Sequence, residues 1–295
     1  MEIVPISFID QLIPVHHIRT RTHFIVREHL DVELLRQSLD KLIRGHWRLL
    51  GARIATDPEN EELVYHLPKV FEDGYSLFGW SSEEVDKPID DAVPALKRPA
   101  AEGVAILPKM DKIGPCFEPA DWPTHRRHDT PDSPMIYVHV QSYSDATVVS
   151  INFLHVLADQ LGLVNIMKAW LGLAGGKEPP PMVGFDKDMF QPKRQFSDYA
   201  KSEIERKGMI KLKSPVDSKL VILGLIPEFV YHPRETRRSL FFPLELVTSL
   251  RERCAETLRN KYKTDNGISN GDVLTAILTK VNIPLSLRVI CWTSR

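Results

Sequence analysis

Between Met135 and His155 the chain carries two nine-residue stretches, MIYVHVQSY and TVVSINFLH, separated only by Ser144, Asp145 and Ala146. Both are rich in β-branched and aromatic residues, so they predict two strands joined by a tight turn, an antiparallel hairpin. In the second stretch Val149, Ile151, Phe153 and His155 share one face, because side chains alternate with period two. Directly afterwards, Leu161, Val164, Met167, Trp170 and Leu171 recur at helical spacing. A histidine therefore stands where a buried strand hands over to a helix, with Asp159 four residues further on.

That placement suits general-base chemistry. An imidazole titrates near pH 6.5, so it can take a proton and return it near neutrality. A strand end fixes the backbone and leaves a ring edge reachable, and an acid one helical turn away can lock the loop or the ring by hydrogen bonds. Taken alone, H-x-x-x-D arises by chance in many proteins, and a histidine beside apolar residues is more often a core or rim residue.

The remaining organisation is readable in part. Thr22–Arg27 alternates as a strand, and a helix follows with Asp31 as N-cap, Leu35, Leu39, Leu42 and Ile43 on one stripe, and a stop at Gly45. RLLGARI and ELVYHLP predict paired short strands around a polar turn. Ser81 to Pro134, rich in proline and charge, reads as a long surface connection with short elements. GLAGGKEPPPMVGFDKDMFQPKR is a linker by composition. Beyond it come the short strand RRSLFFP, an amphipathic helix carrying Leu244, Val247, Leu250, Cys254 and Leu258, and a helix capped by Ser269 or Asn270 and stopped at Ile283-Pro284.

Composition narrows the partners. The 295 residues are 43% hydrophobic with a formal net charge of -1, so no global field favours nucleic acid or an anionic membrane. Cys116, Cys254 and Cys291 are scattered and odd in number, neither a disulfide framework nor a zinc pattern, which fits a reducing, cytoplasmic setting. No apolar run approaches the roughly 18 residues a membrane span needs, and the first residues do not read as a signal peptide.

Four regions together resemble the BAHD acyltransferases, most closely their fungal trichothecene acetyltransferase-like members. They are FIDQLIPVHHIRTRTHFIV, LLRQSLDKLIRGHWRLLGARI, the hairpin with its motif through Met135–Trp170, and RRSLFFPLELVTSLRE with ISNGDVLTAILTK. The resemblance implies an α/β, chloramphenicol-acetyltransferase-like fold of two domains: residues 1–174 as the N-terminal domain, complete or nearly so, 175–215 as a crossover linker, and 216–295 as a partial C-terminal domain. It implies transfer of an acyl group from acyl-CoA, acetyl-CoA being the expected donor, to an alcohol of a small fungal secondary metabolite. No metal and no bound cofactor are expected, and a monomer is.

In that resemblance His155 is the general base and Asp159 the motif's largely structural acid, turned from the substrate and ion-paired to an arginine. Arg288 is one candidate partner, and the coenzyme-binding residues stay unassigned. The chain departs from the pattern twice. Gln160 stands where the family has glycine, and no Asp-Phe-Gly-Trp-Gly follows the histidine motif. LFGW at Leu77–Trp80 lies upstream and lacks the flanking residues. A shortened chain is therefore expected, with apolar faces such as that of Leu244, Val247 and Leu250 turned to water.

Two other readings stand beside this one. A non-catalytic relative would only bind a small molecule or partner. A stand-alone peptide-condensation domain usually has a second histidine where Leu154 precedes His155. His16–His17 and His125–His128 invite a metal reading but lack a clear third ligand and read as surface. His139 reads as structural or channel-lining. Lys201, Arg206, Lys207, Lys211 and Lys213 read as a solvated helix face.

Overall fold

The computed structural model describes residues 1–7, 10–11, 15–59, 61–97, 103–109, 113–182, 198–203, 223–224, 226–227, 230–231, 238–263 and 267–280. Ile283-Pro284, Arg288 and most of the 201–213 lysine and arginine cluster lie outside them. The chain divides into two compact units, 1–94 with 113–235 and 95–112 with 236–295. Segment 95–112, which the sequence places within the first domain, thus groups with the later unit.

In the first unit, β1 (Glu2–Pro5), β3 (Arg53–Thr56) and β4 (Leu63–Leu67) form a small antiparallel sheet in the order β1-β4-β3. Strands β3 and β4 pair as the sequence predicts, although Arg48–Gly51 of the predicted first strand forms a 3-10 helix and β3 runs on to Thr56 in the predicted turn; β1 joins them, Glu2 facing Leu67. Helix α1 (Val32–Gly45) begins where expected, with Asp31 accepting from the Leu34 amide at 2.9 Å, and buries Leu35, Leu39, Leu42 and Ile43.

The main sheet holds β2 (Arg19–Val26), β5 (Gly79–Val85), β7 (Ile136–Tyr143) and β8 (Thr147–Leu154) in the order β2-β8-β7-β5, with the one-turn helix α2 (Ile89–Ala92) following β5. The β7-β8 hairpin is as the sequence predicts, and β2 lies antiparallel along the other side of β8. One face carries Ile136, Val138, Ile151 and Phe153 against Leu39 of α1 and Leu163, Ile166 and Trp170 of α3 (Gln160–Ala174), an apolar layer with only about 10 Å³ of void. Trp170 is fully buried, and its indole donates to the Leu35 carbonyl at 2.8 Å, tying α3 to α1.

The buried face of α3 differs from the predicted stripe. Met167 and Trp170 point inward, but Leu161 is 74% exposed and Leu171 42%, while Leu163, Ile166 and Leu173 are buried. The helix is apolar nearly all round, so periodicity cannot select the face that Trp170 fixes by its hydrogen bond.

Every residue of β8 is buried, so the second face of the sheet is covered as well. It is polar. Segment 113–134 lies over it, and this corrects the reading of Ser81–Pro134 as a surface connection. Asn152 Nδ2 donates to the Pro123 carbonyl at 2.9 Å, Gln141 to the Cys116 carbonyl at 3.2 Å, and His23 meets Glu118. Arg19, whose side chain is wholly buried, donates to both carboxylate oxygens of Asp129 at 2.6 and 3.2 Å. The proline- and charge-rich composition supplies the carbonyls and carboxylates that a buried polar face requires. Ser81 to Val85 belong to β5, parallel to β7 at the sheet edge, where polar residues give no alternation to read. LFGW is the entry to that strand: a Cβ at Gly79 would strike the ring of its register partner Tyr137, so the glycine answers to packing.

In the second unit, β6 (Ala105–Lys109) pairs antiparallel with β9 (Arg238–Phe241), which is why 95–112 groups here. After β9 comes an amphipathic helix (Leu244–Tyr262). Of its predicted stripe, Val247 is buried, Leu250 is half-buried, and Leu244 and Cys254 are exposed. In the helical run over 270–280, Ser269 is the cap. Its hydroxyl accepts from the Asp272 amide at 3.1 Å, and Asp272 accepts from the Ser269 amide at 2.8 Å, a reciprocal box. Among the described residues no helix is long and apolar enough to cross a membrane.

Candidate active site at the strand-to-helix corner

His155 is the first residue beyond β8, in a turn that runs to the start of α3. Its amide donates to the Ile18 carbonyl at 2.9 Å, continuing the β2-β8 ladder one step past the strand. The Leu157 amide donates to the Leu154 carbonyl at 3.0 Å and closes the turn. From the small sheet, the fully buried hydroxyl of Tyr65 donates to the Val156 carbonyl at 2.7 Å. Burial raises the Tyr65 phenol well above its ordinary value of 10, which keeps it a donor. Two distant parts of the chain, at Ile18 and Tyr65, therefore hold His155 and the residue after it.

The other end of the turn is fixed by Asp159. It is the N-cap of α3, accepting from the Gly162 amide at 2.7 Å, and it is exposed. Gly162 stands close under the turn, where a Cβ would come within 2.8 Å of Ala158. Gln160, in the position where the resembled family has glycine, is the first helical residue and needs no positive φ. The corner accepts a glutamine because its tight element lies elsewhere.

The imidazole itself is half-buried, with Nδ1 buried and lacking a hydrogen-bond partner. Asp159 therefore locks the loop, not the ring. Among the described residues Asp159 forms no ion pair, and the buried arginine pair of this region is Arg19 with Asp129.

Other histidines converge nearby. Ile18 bridges to His125 as well as accepting from His155, and the rings of His16 and His17 lie 4.1 Å apart. Burial and the neighbouring His16, Arg126 and Arg127 lower the His17 pKa, which leaves that ring neutral near pH 7. Among the described residues no three His, Cys, Asp or Glu side chains form a metal-binding group. His139 is buried and structural: its Nδ1 meets the Ser81 hydroxyl at 2.8 Å, and Trp122 packs edge-on against it.

Apart from the small core void, the first unit has a cleft of about 390 Å³ between β3 of the small sheet and the loop 126–135. Arg53, His66, Arg126 and Leu154 are among the residues lining it, and His155 is not. Tyr65, Ile18 and Arg126 carry no local sequence signal for these roles, since each acts through a partner remote in the chain.

No family model matches this chain. It is 30% identical over 255 residues to acetyltransferase adrJ of Penicillium rubens, covering 83% of this chain and 50% of that protein. It is 29% identical over 305 residues to transcriptional regulator sdnM of Sordaria araneosa, covering 93% of this chain and 56% of that one. Further similar proteins are also named acetyltransferases. The similarity bears out the resemblance drawn from the sequence: the chain is related to BAHD-like acyltransferases, and its described structure has the α/β class expected. It spans about half the length of the curated relatives it matches. The solved structure of F. sporotrichioides TRI101 complexed with coenzyme A and T-2 matches 60% of this chain and 42% of that one, at 13% identity and TM-score 0.41.

Proposed function

We propose that this protein is an acyl-CoA-dependent O-acyltransferase, with acetyl-CoA as donor and a hydroxyl of a fungal secondary metabolite as acceptor, working as a cytoplasmic monomer. The observation that carries the reading is His155 on a corner pinned by Ile18, Tyr65 and Asp159, in a chain related to proteins named acetyltransferase.

The step follows from the ring. With Nδ1 buried, Nε2 is the nitrogen left to act. It takes the proton of the acceptor alcohol while the oxygen attacks the thioester carbonyl. The tetrahedral oxyanion then collapses, the carbon–sulfur bond breaks, and the departing thiolate takes the proton back from the imidazolium. The products are an ester and free coenzyme A. General-base help of this kind contributes about 10²–10⁴-fold, or roughly 3–5 kcal/mol of barrier. Asp159 contributes by holding the first turn of α3.

A second reading, a non-catalytic relative that only binds a small molecule or partner, has its own support. The Nδ1 proton that an Nε2 base requires has no acceptor here, and the 390 Å³ cleft excludes His155 from its lining. Incubation of the purified chain with acetyl-CoA and a panel of alcohols separates the two. Acceptor-dependent thiol release with a mass gain of one acetyl group supports transfer; its absence across the panel supports binding alone.

A further inference from the structure

The cleft between β3 and the loop 126–135 belongs to the first unit alone, and the acyl-transfer step above makes no use of it. Two guanidiniums line it. Arg53 is held rigidly: Nη2 donates to the Ser76 carbonyl at 2.5 Å, Nη1 to the Ala52 carbonyl at 3.3 Å, and the group lies 4.5 Å over the ring of Tyr75. Arg126 donates from Nε to the His16 carbonyl at 3.1 Å. Among the described residues neither forms an ion pair with a carboxylate. Asp129 also lines the cleft, but both its oxygens are taken by Arg19. Burial lowers the pKa of both guanidiniums, opposed in part by Tyr75 and Asp132 at Arg53 and by Asp129 at Arg126, so a desolvation cost remains that a bound anion would offset.

The rest of the lining defines the ligand further. Ile54, Met135 and Leu154 give it an apolar stretch, and the hydroxyls of Thr130 and Ser133, 3.0 Å apart, add polar groups. A volume of about 390 Å³ falls in the range of small-molecule sites, and planar guanidiniums match the oxygens of carboxylates and phosphates. We propose that this cleft binds a small organic anion, its carboxylate or phosphate group on Arg53 and Arg126 and its apolar body against Ile54, Met135 and Leu154. This site is separate from His155 and holds whether or not the chain transfers acyl groups.

Titration calorimetry on the full chain tests it, with phenyl phosphate, benzoate and the uncharged benzyl alcohol as probes. The expected result is saturable binding of at least one anion and none of benzyl alcohol; whichever anion binds more tightly identifies the head group. Arg126→Gln weakens that binding ten-fold or more. Ala55→Phe, which fills the cleft from β3 and leaves both arginines in place, does the same, and it carries the test if near-ultraviolet dichroism shows Arg126→Gln misfolded. The proposal is overturned if neither anion saturates in the millimolar range, if benzyl alcohol binds as tightly, or if folded variants bind like the parent.

Discussion

The Tyr65 hydroxyl reaches across from the small sheet to the carbonyl of Val156, 2.7 Å away, and so anchors the turn next to His155. Tyr65→Phe keeps the ring and removes only that bond, leaving a buried carbonyl unsatisfied. We expect a loss of about 1–3 kcal/mol in urea unfolding, with kcat falling more than KM rises. An unchanged kcat in a folded variant would show that the anchor does not position the base.

Asp159 serves as the N-cap of α3. Asp159→Ala therefore costs about 0.5–2 kcal/mol of stability. Asp159→Asn keeps the cap acceptor without the charge and stays close to the parent in both stability and rate. If the asparagine variant is stable yet as slow as the alanine variant, the carboxylate has a role beyond capping.

Much of this corner is legible in the sequence, and the reasons are local. Asp31 precedes a helix it can cap, Asp159 stands where an acid can lock the loop, and the β7-β8 hairpin advertises itself by alternation around a short turn. What escapes a sequence reading acts over distance. Tyr65 meets Val156 across 91 positions, Arg19 meets Asp129 across 110, and β5 joins the sheet through polar residues. Segment 113–134 has the composition of a solvated loop because it must satisfy the polar face beneath it. The buried face of α3 is likewise a tertiary choice, made by Trp170 and Leu35.

The Arg19–Asp129 pair and the Asp40–Arg44 pair are unequal although both are ion pairs. Asp129→Ala strands a fully buried guanidinium, and chemical denaturation should report a loss of about 3–5 kcal/mol. Asp40→Ala removes a half-exposed helical pair and should cost about 0.3–0.5 kcal/mol. Equal costs would mean that the roof over the polar face does not exclude water from Arg19.

His139 makes stability depend on pH. Burial lowers its pKa from the ordinary 6.5, Glu83 and Ser81 only partly opposing. The unfolded chain then binds the proton more readily than the folded one. The stability this provides is fully present above the unfolded value and is lost as pH falls through the folded value. Unfolding free energy should drop as the pH falls below the ordinary imidazole value of about 6.5, and His139→Gln should flatten that slope. A slope unaltered in the variant would assign the dependence to His17 or His23, which burial lowers in the same direction.

The role of the imidazole at position 155 is tested most directly by initial rates of thiol release from acetyl-CoA, parent against His155→Ala, with an alcohol the parent accepts. The ring is half-buried at the end of β8 and its substitution leaves the backbone bond to Ile18 intact, so the variant should fold. The rate is predicted to fall by about 10²–10⁴-fold. Equal rates from the two proteins would contradict the account and remove His155 from the chemistry.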